Sequence, residues 1–527
     1  MPGIEPVGLA QSVTIDDRID IGTAERIAAG EARLVLDEPA WLRCRRAAQR
    51  LEAVISGRRH VYGITTGFGP LANRLVGSGA IVELQQNLVH HLASGTGPFY
   101  PWTEARAIVL SRLMSILQGV SGASDTAIHA LVTLINSDLA PEIPQRGTVG
   151  ASGDLTPLAH MVLCLQGRAG FMDRSDRRLS GGAGLALLGL APLDLSRRDG
   201  LALVNGTSAM TGVAVCNAAR AQRIIDWSVA LTASLGEVMR SRAEAWDAVF
   251  SAVRPHPGQG RIAEGLRRRL DGSARINRDF LANRQLGDHD LRTEDWLGQD
   301  AYTLRCAPQV IGAVAEAADW HDRIVTTELN AATDNPLFPD GAPAPALHGG
   351  NFMGGQIALC ADTLGQAITV LAGLMERQIA RICDERLNGG LPAFLHQGPS
   401  GLNSGLMGAQ VTATALLAEM RSLGPASIQS ISTNGANQDV VSMGTIAARL
   451  AREKLALAAD IAAVLGIAVA QAMDIVERRD GPGFSPSAFA LRDWLRRRTA
   501  TITTDRPLGE EIAGIARDMT VQPPPPW

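Results

Sequence analysis

The strongest constraint on this chain is a series of long helical patterns that carry apolar residues on more than one face. They run over about 199–247, 307–332, 354–388, 403–421 and 439–477, with Ala and Leu filling positions all round. A helix with one apolar stripe can lie on a surface, whereas one apolar on several faces must be enclosed by other helices. Shorter patterns of the same period begin behind Thr103, read as a cap, and run from Asp125 to Leu139. Alternating β-branched runs are few and short, as in Arg33 to Leu36, and neither βαβ alternation nor an internal repeat is evident. The expected class is mainly α, a long helical bundle.

Gly, Asn and Pro punctuation predicts loops at Tyr62 to Gly69, Pro141 to Pro157, Ser175 to Pro192 and Leu337 to Gly355. We expect a loop-rich, shorter-helixed part over 1–200 and a long-helix bundle with a C-terminal region over 201–527. The first dozen residues and the closing Gln-Pro-Pro-Pro-Pro-Trp read as irregular and mobile.

Charge narrows the function classes. Fifty-three acidic and 49 basic residues are well mixed for a net −4, so no basic field is present to hold nucleic acid or an anionic membrane. Six cysteines lie far apart without a CxxC pair and no secretory signal opens the chain, which reads as a reduced, cytoplasmic protein. The most apolar run, Ile461 to Ala470, is short of the roughly 20 residues that a bilayer requires. The sole lysine, Lys454, sits in a pattern that reads as a solvated helix face and is a poor candidate for a pyridoxal Schiff base. Tyrosine occurs three times, as Tyr62, Tyr100 and Tyr302.

The most informative segment is Gly147-Thr148-Val149-Gly150-Ala151-Ser152-Gly153-Asp154-Leu155-Thr156-Pro157-Leu158-Ala159-His160. It can be a Gly-rich turn before a helix, with Asp154 or Thr156 as cap. As a nucleophile elbow it fails, because Asp154 fills the last Gly position of G-x-S-x-G. A third reading uses residue size. Gly153 offers a nitrogen with no Cβ behind it, Ala151 a carbonyl with little bulk, and Ser152 a hydroxyl that can leave as water.

Ala151-Ser152-Gly153 in this setting resembles the aromatic amino acid ammonia-lyases and histidine ammonia-lyase. Further motifs follow in that family's order: Tyr62-Gly63-Ile64-Thr65-Thr66-Gly67-Phe68-Gly69, Asn205-Gly206-Thr207-Ser208, Gln299-Asp300-Ala301-Tyr302, Asn351-Phe352 and Asn437-Gln438. The resemblance covers most of the chain. It implies the mainly α ammonia-lyase (fumarase/aspartase-like) fold and a homotetramer with active sites shared between subunits. It also implies that the triplet closes, autocatalytically and with loss of water, into 4-methylidene-imidazole-5-one (MIO), with no PLP and no metal.

Ammonia elimination needs an electrophile for the amine and a base for the β-proton. The resemblance assigns the base to Tyr62, places Asn205 at the ring oxygen and Tyr302 at the amine end, and sets Phe352 beside the ring. Arg305, three residues after Tyr302, suits a bidentate clamp on the substrate carboxylate. The Asn205-Gly206-Thr207 glycosylation sequon is set aside for want of a secretion signal. Asn434, Asn437 and Gln438 supply further amides.

Substrate choice turns on Leu88-Val89-His90-His91-Leu92. Adjacent histidines diverge on a helix, so at most one faces a ligand. In the family the pair at His91-Leu92 faces the substrate side chain, and His-Leu resembles the bacterial tyrosine type. After Asn437-Gln438 the chain reads Asp439-Val440-Val441, where histidine-specific enzymes continue Glu-Asp-His. The expected reaction is deamination of L-tyrosine, with L-phenylalanine as a second candidate substrate, to trans-p-coumarate and ammonia. A tyrosine 2,3-aminomutase, or phenylalanine or histidine ammonia-lyase, is the alternative.

Overall fold

The computed structural model describes residues 11–279, 281–283, 285, 287–288, 299–399 and 401–526. It is mainly α, as the periodicity requires, and the chain divides into two compact units, each gathered from three segments.

The first unit comprises 1–219, 321–362 and 425–451. Its central helix, Trp102–Leu117, is buried along nearly its whole length, and two arginines on it are enclosed with it. Arg106 donates to the carbonyls of Ile27 (3.1 Å), Ala28 (2.8 Å) and Ile135 (2.6 Å), so one guanidinium meets the C-terminal ends of helices Ile21–Ala28 and Asp125–Ile135. Orphan carbonyls and the negative end of the helix dipole make this a favourable place for a cation, although burial lowers its pKa to about 10. The expected Thr103 cap is not used; the helix starts at Trp102 behind Pro101, without a side-chain cap.

Three small sheets border these helices. Gln11–Ile15 pairs in parallel with Ala32–Leu36 across helix Ile21–Ala28, a βαβ unit that the sequence reading did not find. Its strands are five residues each, too short for a clear alternation. Thr96–Phe99 pairs antiparallel with Pro144–Arg146, and Leu139–Pro141, Phe171–Asp173 and Arg178–Leu179 form an antiparallel triple. Within the expected loop at 175–192 lies helix Gly181–Leu188, capped by Ser180; its glycines hid it.

The second unit comprises 220–320, 363–424 and 452–527. Its core is packed from the facing sides of helices Ser208–Val238, Ala307–Leu329, Gly355–Cys383, Met407–Ser422 and Gly444–Asp480, within the residues that belong to this unit. Ile461 through Ala470 is buried at every position, which explains why that stretch is apolar all round. Lys454 on the same helix is 7 % exposed, so the solvated face expected for it is in fact enclosed. By length and composition Gly355–Cys383 and Gly444–Asp480 could each cross a bilayer, which the ten-residue run alone had not suggested; 61 % and 83 % of their most apolar windows are buried within the protein. The Pro-rich tail has no regular structure but is held, with Trp227 donating to the Gln522 carbonyl (2.9 Å) and Arg269 to that of Pro525 (3.2 Å).

Two long patterns are shorter than the periodicity predicts. The one over 199–247 is two helices, Asp199–Val204 and Ser208–Val238, separated at Asn205–Thr207, and the last begins only at Gly444. Both interruptions belong to the first unit and border the site described next.

That unit is pinned by a buried ion pair. Arg198 meets Asp334 through two bonds (2.7 and 2.9 Å), Ser121 Oγ donates to the same carboxylate (2.6 Å), and both charged side chains are at most 1 % exposed. Removing one partner strands the other charge in the interior, so Asp334→Ala is expected to lower unfolding free energy by about 3–5 kcal/mol. Chemical denaturation of the variant measures this, and an unchanged midpoint would show that the pair does not hold the unit.

Candidate active site

Ala151-Ser152-Gly153 lies in the loop between strand Pro144–Arg146 and helix Leu155–Leu165. The backbone passes through the left-handed region at Gly150 (φ 79°), Ser152 (φ 55°) and Gly153 (φ 75°). For Ser152 this conformation is strained and persists only because its surroundings impose it.

The helix break at Asn205–Thr207 supplies that imposition. Gly153 and Gly206 form an isolated parallel bridge, so close that a Cβ on Gly153 would overlap the Gly206 carbonyl. The Asp154 amide donates to that carbonyl (2.7 Å), and Asn205 Nδ2 donates to the Ser152 carbonyl (3.0 Å). Asn205 is fixed in turn by the enclosed Arg112 guanidinium, which donates to its carbonyl, while Asn205 Oδ1 is buried with no hydrogen-bond partner among the described residues.

Asp154 precedes the helix as expected, yet its carboxylate does not cap it. Instead it accepts from the Met210 amide (2.7 Å) and from Thr445 Oγ1, and complete burial pushes its pKa up to about 6. A strap over 433–443 closes the other side. Its Met443 amide donates to the Val149 carbonyl (2.9 Å), and Gln438 Nε2 donates to Ser152 Oγ (3.4 Å) and Asn434 Nδ2 to Gln438 Oε1 (3.1 Å).

A cleft of about 580 Å³ opens beside the triplet, lined by Ser152, Asn205, Tyr62, His91, Leu92, Asn434 and Gln438 among others. Tyr62 reaches it from the 61–66 turn. The Gly69 amide donates to its hydroxyl oxygen (2.9 Å), and Phe68 meets its ring edge to face at 6.2 Å, so the phenol is held at both oxygen and ring. His91 stands in the last turn of helix Ile81–Leu92, where its Nδ1 lies 2.9 Å from the Asn87 carbonyl. A carbonyl only accepts, so Nδ1 carries a hydrogen, and in the neutral imidazole Nε2 is then the acceptor. Neighbouring His90 points elsewhere, against Arg168 at 3.0 Å.

Not every residue singled out from sequence reaches this cleft. Asn437 is on the strap but outside the lining, near Gly69, and Phe352 is half-buried on the turn before helix Gly355–Cys383. Tyr302 and Arg305 belong to the second unit, on the short helix Tyr302–Arg305. That helix is pinned by Trp246 Nε1 on the Leu304 carbonyl (2.9 Å) and Gln378 Nε2 on the Thr303 carbonyl (2.9 Å). Tyr302 is nonetheless 70 % exposed, with the Arg305 guanidinium over its ring at 4.8 Å.

Sequence reasoning missed the apolar walls, Phe68, Leu71, Leu84, Leu155 and Leu201, whose types carry no chemical signal. It also missed Gln85. This fully buried amide donates to the Gly63 carbonyl (2.8 Å) and accepts from the Leu201 amide (2.8 Å), tying the Tyr62 turn to the helix that ends at Asn205. Position 85 lies two helical turns before His91–Leu92, and a polar residue inside an apolar helix face was the available clue.

The family model described as aromatic amino acid lyase matches residues 19–497. A tyrosine ammonia-lyase of Cereibacter sphaeroides is 60 % identical over 97 % of this chain and 98 % of its own length. A histidine ammonia-lyase of Caldanaerobacter subterraneus subsp. tengcongensis is 37 % identical over 95 % of each. Among solved structures, a tyrosine aminomutase from Streptomyces globisporus superposes with a TM-score of 0.92 at 37 % identity, covering 97 % of both chains. The chain belongs to the aromatic amino acid lyase family.

Proposed function

We propose that the protein converts L-tyrosine to trans-p-coumarate and ammonia, the reaction of a tyrosine ammonia-lyase. The observation that carries this reading is the single cleft lined together by Ser152, Tyr62 and His91. The 60 % identical relative supports the lyase over the aminomutase outcome. The protein acts in the cytoplasm as a homotetramer, with no nucleic-acid or membrane partner and with neither metal nor pyridoxal.

The triplet fits MIO. Closure joins the Gly153 nitrogen to the Ala151 carbonyl carbon and expels one water; loss of the Ser152 hydroxyl with its α-proton expels a second. The left-handed turn already brings these residues round, Gln438 donates to the hydroxyl that leaves, and Asn205 donates to the Ser152 carbonyl that becomes the ring oxygen. The closed group supplies an electrophile toward the substrate. Tyr62 takes the β-proton, the electrons of the C–H bond form the new C=C bond, and the amine leaves with those of the C–N bond. Intact mass is expected to fall short of the sequence mass by two waters, and Ser152→Ala to keep the full sequence mass less its own change and to lose most activity. An active protein of unreduced mass would sink the MIO assignment.

His91 selects the hydroxylated substrate. With Nδ1 committed to Asn87, Nε2 accepts the proton that a phenol hydroxyl donates, and phenylalanine has none to give. In His91→Phe the preference for tyrosine over phenylalanine is expected to fall by at least several-fold, matching a neutral hydrogen bond of roughly 0.5–1.5 kcal/mol and an unpaired buried hydroxyl of up to about 3. Catalytic efficiencies for both amino acids measure it, with β-tyrosine assayed alongside for aminomutase activity. An unchanged ratio removes the selectivity role.

No arginine or lysine lines the cleft among the described residues, although an amino-acid substrate brings a carboxylate. Arg305, half-buried and stacked on the exposed Tyr302 ring, supplies the missing cation from a neighbouring subunit. Co-assembling inactive Ser152→Ala and Tyr302→Phe chains is then expected to restore activity through hybrid sites. A mixture of Ser152→Ala with Tyr62→Phe stays inactive, because one chain's cleft holds both positions. Restoration by the second mixture rather than the first would overturn the arrangement.

A further inference from the structure

The turn that carries Tyr62 is restrained from within, and from outside by Gln85 on the Gly63 carbonyl. The Val61 amide donates to Thr65 Oγ1 (2.9 Å) and the Gly63 amide to Thr66 Oγ1 (3.1 Å), both inside the turn. The amide of Tyr62, between them, donates out of the turn to His348 Nε2 at 3.2 Å, across 286 residues of sequence.

His348 stands on firm ground. Leu347 before it exchanges two backbone hydrogen bonds with Leu337, each 2.9 Å. The Gly349 amide after it donates to Asn335 Oδ1 (2.7 Å), and Asn335 follows Asp334 of the buried ion pair with Arg198. A loop read from its Gly and Pro content as mere punctuation is therefore anchored on both sides of one histidine. An imidazole nitrogen that accepts an N–H carries no proton, so the contact exists only with Nε2 bare and Nδ1 bearing any hydrogen.

Resting on the reading of Tyr62 as the base, we propose that His348 is a positioning residue for the reaction: it holds the Tyr62 backbone from outside the turn while the Gly69 amide holds the phenol oxygen. Two restraints at opposite ends of one side chain fix where the proton acceptor stands. Without the backbone restraint the ring can pivot about Gly69, and an error of about 1 Å at a reacting atom costs on the order of 100-fold in rate.

The test uses the full-length enzyme and four variants. His348→Leu deletes the acceptor; His348→Gln keeps one, because Oε1 reaches about as far as Nε2. Tyr62→Phe and Tyr62→Phe/His348→Leu complete a cycle. His348→Leu is expected to lower kcat by roughly 10- to 100-fold with KM changed by less than about two-fold. His348→Gln should recover most of the loss, and His348→Leu should add nothing in the Tyr62→Phe background. A fall in kcat shared equally by the Leu and Gln variants, an effect confined to KM, or a full additional loss in the double variant would each overturn the proposal.

Hydrogen exchange at the Tyr62 amide reads the contact without reference to activity. It should quicken by roughly ten-fold or more in His348→Leu and little in His348→Gln, and unchanged exchange in His348→Leu refutes the positioning role. A wild type that releases no ammonia from any aromatic amino acid defeats the functional reading instead, and the exchange experiment still decides for or against His348.

Discussion

Everything at this site depends on a backbone-to-backbone contact in which neither partner can carry a side chain. Gly206, at φ 143°, is pressed between Gly153 on one side and the Thr333 carbonyl and Arg112 guanidinium on the other, and a Cβ on it would overlap both of the latter. The triplet is thus bent around a fixed edge rather than held by its own turn chemistry. Arg112 is completely enclosed, and burial lowers its pKa to about 10, so its hydrogen bonds to the Asn205 carbonyl and to Ser115 Oγ (2.9 Å) offset part of the desolvation of its charge.

Two acids, the enclosed Asp154 and the half-buried Glu328, stand behind the same edge. Asp154 is pushed up to about 6 and Glu328 upward as well, in both cases chiefly by loss of water, and each carboxylate accepts a threonine hydroxyl, Thr445 for Asp154 and Thr207 for Glu328 (2.6 Å). Thr207 directly follows Gly206, and Asp154 directly follows Gly153. The polar satisfaction of the acids and the register of the triplet are consequently one problem, solved by residues from 112, 152–154, 205–210, 328–333 and 438–445 together. A network of this kind gains its strength only when every member is in place, so the strained Ser152 conformation belongs to the folded unit and not to the isolated loop.

This dependence on distant segments explains what was legible in the sequence and what was not. Helix periodicity gave the mainly α class, because enclosure leaves its mark on every face of segments such as Ile461 to Ala470. The same signal misled at 199–247, where Asn205-Gly206-Thr207 interrupts the helix but is too short to disturb an apolar count. Chemistry-bearing motifs identified Ser152, Tyr62, His91, Asn205 and Gln438, all of which line one cleft. Gln85 left only the clue of a polar residue in an apolar helix face, and the other supports, Arg112 and His348, were not legible, since each acts through a backbone group of another segment and backbone partners have no residue type. Lys454 failed for a related reason: its pattern looked amphipathic, but the long aliphatic stem of a lysine can lie in apolar surroundings.

The cleft also has an imbalance of charge with consequences for assembly. Its described lining offers amides, a phenol, an imidazole and apolar walls, which suit the ring and hydroxyl of an aromatic amino acid, but it offers no cation. Moving a carboxylate from water into such surroundings is costly unless a guanidinium meets it with paired hydrogen bonds. Meanwhile the half-buried Arg305 lies against an exposed Tyr302 ring on a helix whose backbone is tightly pinned, a rigid mounting for the stacked pair. Under the proposed shared-site arrangement, binding energy for the substrate's carboxylate is available only at a contact between subunits. Affinity and assembly then become linked quantities: substrate stabilises the oligomer by as much as the oligomer tightens substrate binding.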